Sequence, residues 1–206
     1  KLLICVNAAS ARIHATAKPI ENPKVPPMFC MLLRKRLGSG KLLSVRQDGL
    51  ERILFLDFET VNELGDVVTI TLATEIMGKY SNLIIIGQDG RIIDSLKRVD
   101  DAMSRERLVL PNMTYTAPPR EDRLNFLIAS DEDMRERIKS CVGKSAAKCL
   151  ISVFEGISPI LAREWIFRAC DGRDITSEDF DDVTVDRIIA EIKKTRDEFF
   201  GGDRHY

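Results

Sequence analysis

Histidine is almost absent from this chain, and the scarcity excludes more chemistry than any other feature of its composition. Only His14 and His205 occur in 206 residues, and none of the cysteines forms a Cys-x-x-Cys pair, so a zinc centre is not expected. The five cysteines, Cys5, Cys30, Cys141, Cys149 and Cys170, are odd in number and sit mostly among apolar neighbours. That pattern points to buried, reduced thiols in a cytoplasmic protein. No apolar run reaches the roughly 18 residues of a membrane helix. The apolar opening of "KLLICVNAASARIH" is too short and too early for a secretion signal. It reads as a strand already in progress, so the chain is expected to begin inside a larger protein.

Catalytic signatures are missing too. There is no Gly-x-Ser-x-Gly and no His-Glu-x-x-His. "LGSGKLLS" lacks the glycine that a phosphate-binding loop needs five positions before its Gly-Lys, because Lys35 stands there. Acids are plentiful, but none are marked out by spacing as a general acid and base. "NMT" at 112–114 is a formal glycosylation sequon without meaning in a cytoplasmic protein. The expectation is a non-enzyme without cofactor or metal.

Excess charge is absent as well: 31 Lys and Arg against 32 Asp and Glu give a formal net charge of −1. A simple nucleic-acid-binding domain is not expected from that sum. The distribution is uneven, however. Residues 12–52 carry nine bases against three acids, a net of +6, and residues 171–200 carry ten acids against five bases, a net of −5. One region is suited to face phosphate and the other to repel it.

What is present suggests an α+β protein. Residues 1–6 and 12–16 read as strands, and Pro19 to Pro27 is extended and proline-punctuated. "MFCMLLRKRL" follows Pro26-Pro27, ends in Arg34-Lys35-Arg36 and is succeeded by Gly38, which are helix start and stop signals. Its near-continuous apolar run predicts a helix buried on most sides. Strands are expected at 41–47, 52–58, 67–76, 82–86 and 91–96, with "ETVNELGD" as a loop and "QDG" before Arg91 as a hairpin turn. Composition changes near Ala129. Ser130 before acids is an N-cap signal, and Ser158-Pro159 supplies a cap with a first-position proline. Val185, Ile188, Ile189 and Ile192 recur at helical spacing. The expected division is therefore a mainly antiparallel β domain over 1–128 and an all-helical domain over 129–206.

Within the β region, "QDGLERILFLDF" places Glu51 and Arg52 at the mouth of an apolar strand, after an Asp48-Gly49 turn. Opposite charges there suit either a solvated strand end or a binding site.

Four segments carry a resemblance more specific than these patterns: "ENPKVPPMFCMLLRKRL", "QDGLERI", "EIMGKYSNLIII" and "RLVLPNMTYTAPP". In this order and at these spacings they closely resemble the N-terminal region of the NFACT family, and "GISPILAREWIFRA" resembles its helix-hairpin-helix region. The resemblance implies an N-terminal domain similar to the β-rich domain of formamidopyrimidine-type DNA glycosylases, without their catalytic residues. It also implies a ribosome quality-control factor that binds the large ribosomal subunit obstructed by peptidyl-tRNA. Such factors recruit tRNA, in bacteria alanine tRNA, and support alanine tailing of the stalled chain as a degradation tag. The peptidyl-transferase centre of the ribosome does the chemistry.

Residue by residue, the resemblance assigns tRNA binding to Glu51, Arg52, Glu75, Ile76 and Met77. For Ile76 and Met77, plain core packing is an equal expectation. The basic helix end, Arg34, Lys35 and Arg36, offers contacts to RNA backbone. Glu51 stands where the family usually has Asp, and Tyr80 where His is common. Asn112 stands where Gly is common, which predicts a left-handed backbone there. The family's first few tens of residues, its coiled coil and its C-terminal domain lie outside this sequence. A second reading, implied by an older family label, is an adhesin binding fibronectin at the cell surface.

Overall fold

The computed structural model describes residues 1–201; His205 lies outside the described residues. The chain divides into two compact units, Lys1–Arg120 and Glu121–Tyr206. This boundary comes earlier than the compositional change near Ala129. Residues just past it belong to the second unit: the Leu124 N–H donates to the Val153 carbonyl at 2.7 Å, and Phe126 packs edge-on against Trp165 at 5.4 Å.

The first unit is a five-stranded antiparallel meander in the order β3-β4-β5-β6-β7. Its strands are β3 (Lys41–Gln47), β4 (Ile53–Val61), β5 (Val67–Glu75), β6 (Asn82–Ile86) and β7 (Ile92–Ser95). A separate hairpin, β1 (Leu2–Cys5) with β2 (Arg12–Ala15), precedes them. Side chains alternate across a strand, and the sheet is apolar on both faces. Leu56, Ile70, Leu72 and Ile85 face the hairpin's Ile4 and the helix α1 (Met28–Leu37) through Phe29, Leu32, Leu33 and Leu37. Ala73, Ile84, Ile86 and Ile92 face the other way, where Val99, Val109 and Tyr115 cover them.

Several expectations need correction. The helix α1 buries one stripe rather than most of its surface: Met28 is 87% and Met31 47% exposed. A straight helix laid on a single sheet contacts it through one stripe, and an unbroken apolar run carries side chains round to the far side as well. Cys141 and Cys149, expected as separate reduced thiols, lie side by side with Cα atoms 5.9 Å apart. The turn between two helices brings them together, and an odd cysteine count conceals such a pair. Among the remaining cysteines only Cys170 is buried. "ETVNELGD", expected as a loop, lends Glu59 to Val61 to the end of β4.

The second unit holds the helices α2 (Asp131–Lys139), α3 (Ala146–Val153), α4 (Pro159–Ala169) and α5 (Asp182–Gly201). Their starts follow the caps read from sequence. Ser130 Oγ accepts from the Asp133 N–H and Ser158 Oγ from the Leu161 N–H, with Pro159 in the first turn. Trp165 is the hub: 1% exposed, edge-on to Phe126 and Phe154, its indole N–H donating to Thr195 Oγ1 at 2.8 Å. The acidic surplus of 171–200 is partly neutralised locally, because Arg135 pairs with Asp186 and Lys139 with Asp182.

One charged group lies inside the β unit. Glu75, the last residue of β5, is 1% exposed on the face that carries Ala73. Arg107 grips it through both nitrogens, Nη1 at 3.0 Å and Nη2 at 2.6 Å, and the Tyr115 hydroxyl donates at 3.0 Å. Burial, then the Glu75 charge, pushes the Tyr115 hydroxyl's pKa far above its ordinary value, so it stays a donor. Arg107 Nε also donates to the Thr116 carbonyl at 2.7 Å. The segment 107–116 is thereby fastened to the sheet. Removing one partner of a buried pair leaves the other charge uncompensated, at a cost of about 3–5 kcal/mol. Arg107→Met is therefore expected to lower stability by that order in denaturant titration, and Glu75→Gln/Arg107→Met to recover part of the loss.

A second network sits on a more exposed part of the same sheet. Asp57 accepts from Arg46 Nε at 2.7 Å, Ser44 Oγ at 2.5 Å and Thr71 Oγ1 at 2.7 Å. The Arg46 guanidinium foremost, helped by the two hydroxyls, holds the Asp57 carboxyl well below the usual carboxylate range. Its folded pKa being depressed, the stabilisation is fully present above the unfolded value of about 3.9 and is lost as pH falls below it. Asp57→Asn is expected to lower the thermal midpoint at neutral pH and to flatten its decline below about pH 4.

Candidate nucleic-acid interface

Strand register assembles the candidate residues. Ile53 pairs with Glu75, and Glu75 pairs with Asn82, so the start of β4, the end of β5 and the start of β6 share one end of the sheet. The Ile76 N–H extends this ladder by donating to the Arg52 carbonyl at 2.8 Å. Glu51-Arg52 and Glu75-Ile76-Met77, more than twenty residues apart in sequence, are therefore immediate neighbours.

Their side chains do different things. Arg52 is exposed, and among the described residues no ion pair or hydrogen bond engages its guanidinium. Glu51 is half-buried and does not pair with its neighbour: its carboxylate lies 3.8 Å from Arg120 Nε, and Arg120 also pairs with Asp48. The backbone of this turn is tied as well, with the Glu51 N–H on the Asp48 carbonyl at 3.1 Å and Gln47 Nε2 on the Glu51 carbonyl at 2.8 Å. Arg52 thus leaves a fixed turn with all five of its donors available.

Glu75 corrects an expectation. As a direct RNA contact it is excluded by its burial, since Arg107 and Tyr115 occupy its oxygens. A carboxylate pointed into the sheet holds the strand end; it offers nothing to a ligand. Ile76 and Met77 are half-buried, the mixture of packing and exposure that the sequence left open.

The basic helix end stands apart. Thr60 Oγ1 donates to the Arg36 carbonyl at 3.0 Å, which fixes the end of α1 beside the far end of β4. Eight residues of strand separate Thr60 from Arg52, roughly 25 Å at about 3.3 Å per residue. Lys35 pairs with Glu63 at 2.8 Å, Arg34 is exposed, and the Nε of Arg36 is buried with no hydrogen-bond partner. Arg34, Lys35 and Arg36 therefore form a second basic group, not an extension of the first.

Three residues that sequence reasoning did not single out define the site. Arg107 and Tyr115 hold Glu75, and Arg120 holds Glu51. All lie in or just after the "RLVLPNMTYTAPP" segment, whose resemblance to family sequence was the available signal. The left-handed backbone expected at Asn112 is present, at φ 66°. Among the described residues no group of three or more His, Cys, Asp or Glu is placed to hold a metal ion. No described helix is long and apolar enough to cross a membrane.

Comparison with known proteins gives a consistent result. Residues 1–204 match the family model described as NFACT N-terminal and middle domains. The Rqc2 homolog RqcH of Bacillus subtilis (strain 168) is 39% identical over 197 residues, 95% of this chain and 34% of the relative. The archaeal Rqc2 homolog aRqcH of Methanocaldococcus jannaschii is 29% identical over 184 residues, 87% of this chain and 26% of the relative. Among solved structures, the N-terminal part of the fibronectin/fibrinogen-binding protein of Streptococcus suis superposes with a TM-score of 0.76 at 31% identity. It covers 95% of this chain, which in turn covers 67% of that one. The chain spans about a third of the length of the curated relatives it matches. On the family match and the identity to RqcH, the chain belongs to the NFACT family, the family of the ribosome quality-control factor RqcH.

Proposed function

We propose that this chain is the tRNA-engaging region of a ribosome quality-control factor that acts on large ribosomal subunits obstructed by peptidyl-tRNA. The observation that carries the reading is the exposed, uncommitted Arg52 guanidinium on a turn fastened through Glu51, Arg120 and the Arg52–Ile76 backbone bond. A planar fork with free donors suits a phosphate or a guanine edge. Because the turn is rigid, its backbone need not be ordered on binding. Glu51 orients the turn and remains open enough to accept from a base amino group. The factor recruits tRNA, in bacteria alanine tRNA, for tailing of the stalled chain. It contributes no catalytic residue, because the peptidyl-transferase centre forms the bonds. It needs no cofactor and works in the cytoplasm.

The relatives named for fibronectin or fibrinogen binding support a second reading, attachment to fibronectin. Nothing in the Arg52 turn is specific to a protein ligand, so the first reading is preferred.

Arg52→Ala in the full-length protein is expected to leave folding stability within ~0.5 kcal/mol of wild type. It should weaken tRNA binding by about 1–3 kcal/mol. Pull-down from cells, scored separately for large subunit and tRNA, should retain the subunit and lose tRNA and the alanine tail. Normal tRNA recovery would make Arg52 a solvated strand end. Fibronectin capture that responds to Arg52→Ala, with tRNA unaffected, would favour the second reading.

The two basic groups can be told apart by salt. Each neutralised phosphate contributes close to one unit to the logarithmic salt slope of tRNA affinity. Arg34→Gln with Arg36→Gln is expected to reduce the slope without abolishing binding. An unchanged slope would assign that helix end to solvent.

A further inference from the structure

The six residues joining β5 to β6 contain an aromatic side chain that packing does not explain. Of the five aromatic residues in the first unit, Phe29, Phe55, Phe58 and Tyr115 are half-buried against the sheet. Tyr80 is 69% exposed. Its backbone is nonetheless rigid. Gly78, at φ 56°, turns the chain into a 3-10 turn over Gly78–Tyr80. The Tyr80 N–H donates to the Met77 carbonyl and the Ser81 N–H to the Gly78 carbonyl, each at 3.1 Å. The Ser81 side chain, wholly buried, accepts from the Met77 N–H at 2.8 Å. Asn82 anchors the far side, donating to the Lys97 carbonyl at 2.7 Å and accepting from the Lys97 N–H at 2.9 Å. A large ring is thus presented to solvent from a backbone that cannot withdraw it.

Position and charge indicate what the ring meets. The turn closes the same sheet end as Arg52, since Met77 follows the residue that bonds the Arg52 carbonyl. Two strand spacings, roughly 10 Å, separate the β4 and β6 ends that frame it. Lys79 places its ammonium 4.8 Å from the Tyr80 ring centroid. A cation beside an exposed ring matches a partner with both negative charge and flat unsaturated surface. Single-stranded RNA has both, and its unpaired bases stack on aromatic side chains while the adjoining phosphates meet cations.

We propose that Tyr80 is a stacking platform for an unpaired nucleobase of the bound tRNA, with Lys79 contacting the adjoining phosphate. This rests on the tRNA reading above and adds to it a base-contacting residue. Stacking is sequence-tolerant and not electrostatic, and that property makes it separable from the Arg52 and Lys79 contacts.

The test uses full-length protein and purified deacylated tRNA, with affinity measured across a salt series. Tyr80→Ala is expected to weaken binding about five- to hundredfold, the range of one lost base stack, with the salt slope unchanged. Tyr80→Phe should bind as wild type, and Lys79→Gln should lower the slope by about one unit. Thermal midpoints of all three variants should match wild type. In chemical footprinting one unpaired base should be protected by wild type and Tyr80→Phe and reactive with Tyr80→Ala. Wild-type affinity in Tyr80→Ala, while Arg52→Ala still loses tRNA, overturns the stacking proposal and leaves the tRNA reading standing. Equal losses in Tyr80→Phe and Tyr80→Ala, or a changed slope in Tyr80→Ala, also overturn it, because the hydroxyl or the local charge would then be responsible. If Arg52→Ala and Tyr80→Ala both bind tRNA normally, the reading fails along with the proposal.

Discussion

A carboxylate buried at the end of a strand governs the architecture of the candidate interface. Glu75 has no solvent to stabilise its charge, so the fold must supply compensation, and Arg107 and Tyr115 supply it from a segment more than thirty residues away. The ion pair closes that segment over one face of the sheet. It also fixes the strand end from which Ile76 reaches the Arg52 carbonyl. Burial of a charge is a weak source of net stability. Its consequence here is specificity of position: other arrangements of 107–116 would leave a buried charge unpaired.

This division of labour explains how a site with little distinctive composition acquires a defined geometry. The outward groups, Arg52, Lys79 and Tyr80, contribute little to the fold. The inward groups, Glu75, Ser81 and Asn82, hold the turns on which they stand. Family motifs that mix acids, apolar residues and aromatics, such as "EIMGKYSN", are intelligible on this basis. Within one short run, the buried Glu75, Ser81 and Asn82 serve the core and the exposed Lys79 and Tyr80 the surface. The basic end of α1 serves a different location, beside Thr60, and a ligand touching both must span the length of β4.

Much of the fold was legible in the sequence because local chemistry decides it. Ser130 and Ser158 cap the helices they were expected to cap, and Asn112 takes the left-handed backbone expected of a residue standing for glycine. What was not legible depends on distant partners. No local pattern states that Glu75 turns inward, since an acid at a strand end is ordinarily exposed; only Arg107 and Tyr115 make its burial tolerable. Glu51 was expected to act with the adjacent Arg52, yet Arg120 takes its charge. The helix α1 seemed apolar all round because its sequence does not reveal how many of its sides the sheet covers. The same holds for Cys141 and Cys149, which meet only through the turn joining α2 to α3.

The central claim is that the sheet end carrying Arg52, rather than the basic helix end or the helical unit, is the surface that meets tRNA. Ultraviolet cross-linking of the full-length protein in living cells, with both the RNA and the attached peptide sequenced, tests it most directly. The account predicts tRNA joined to peptides containing residues 51–52 or 76–80. Cross-links to tRNA confined to the helical unit, or the absence of tRNA from the recovered RNA, would contradict it.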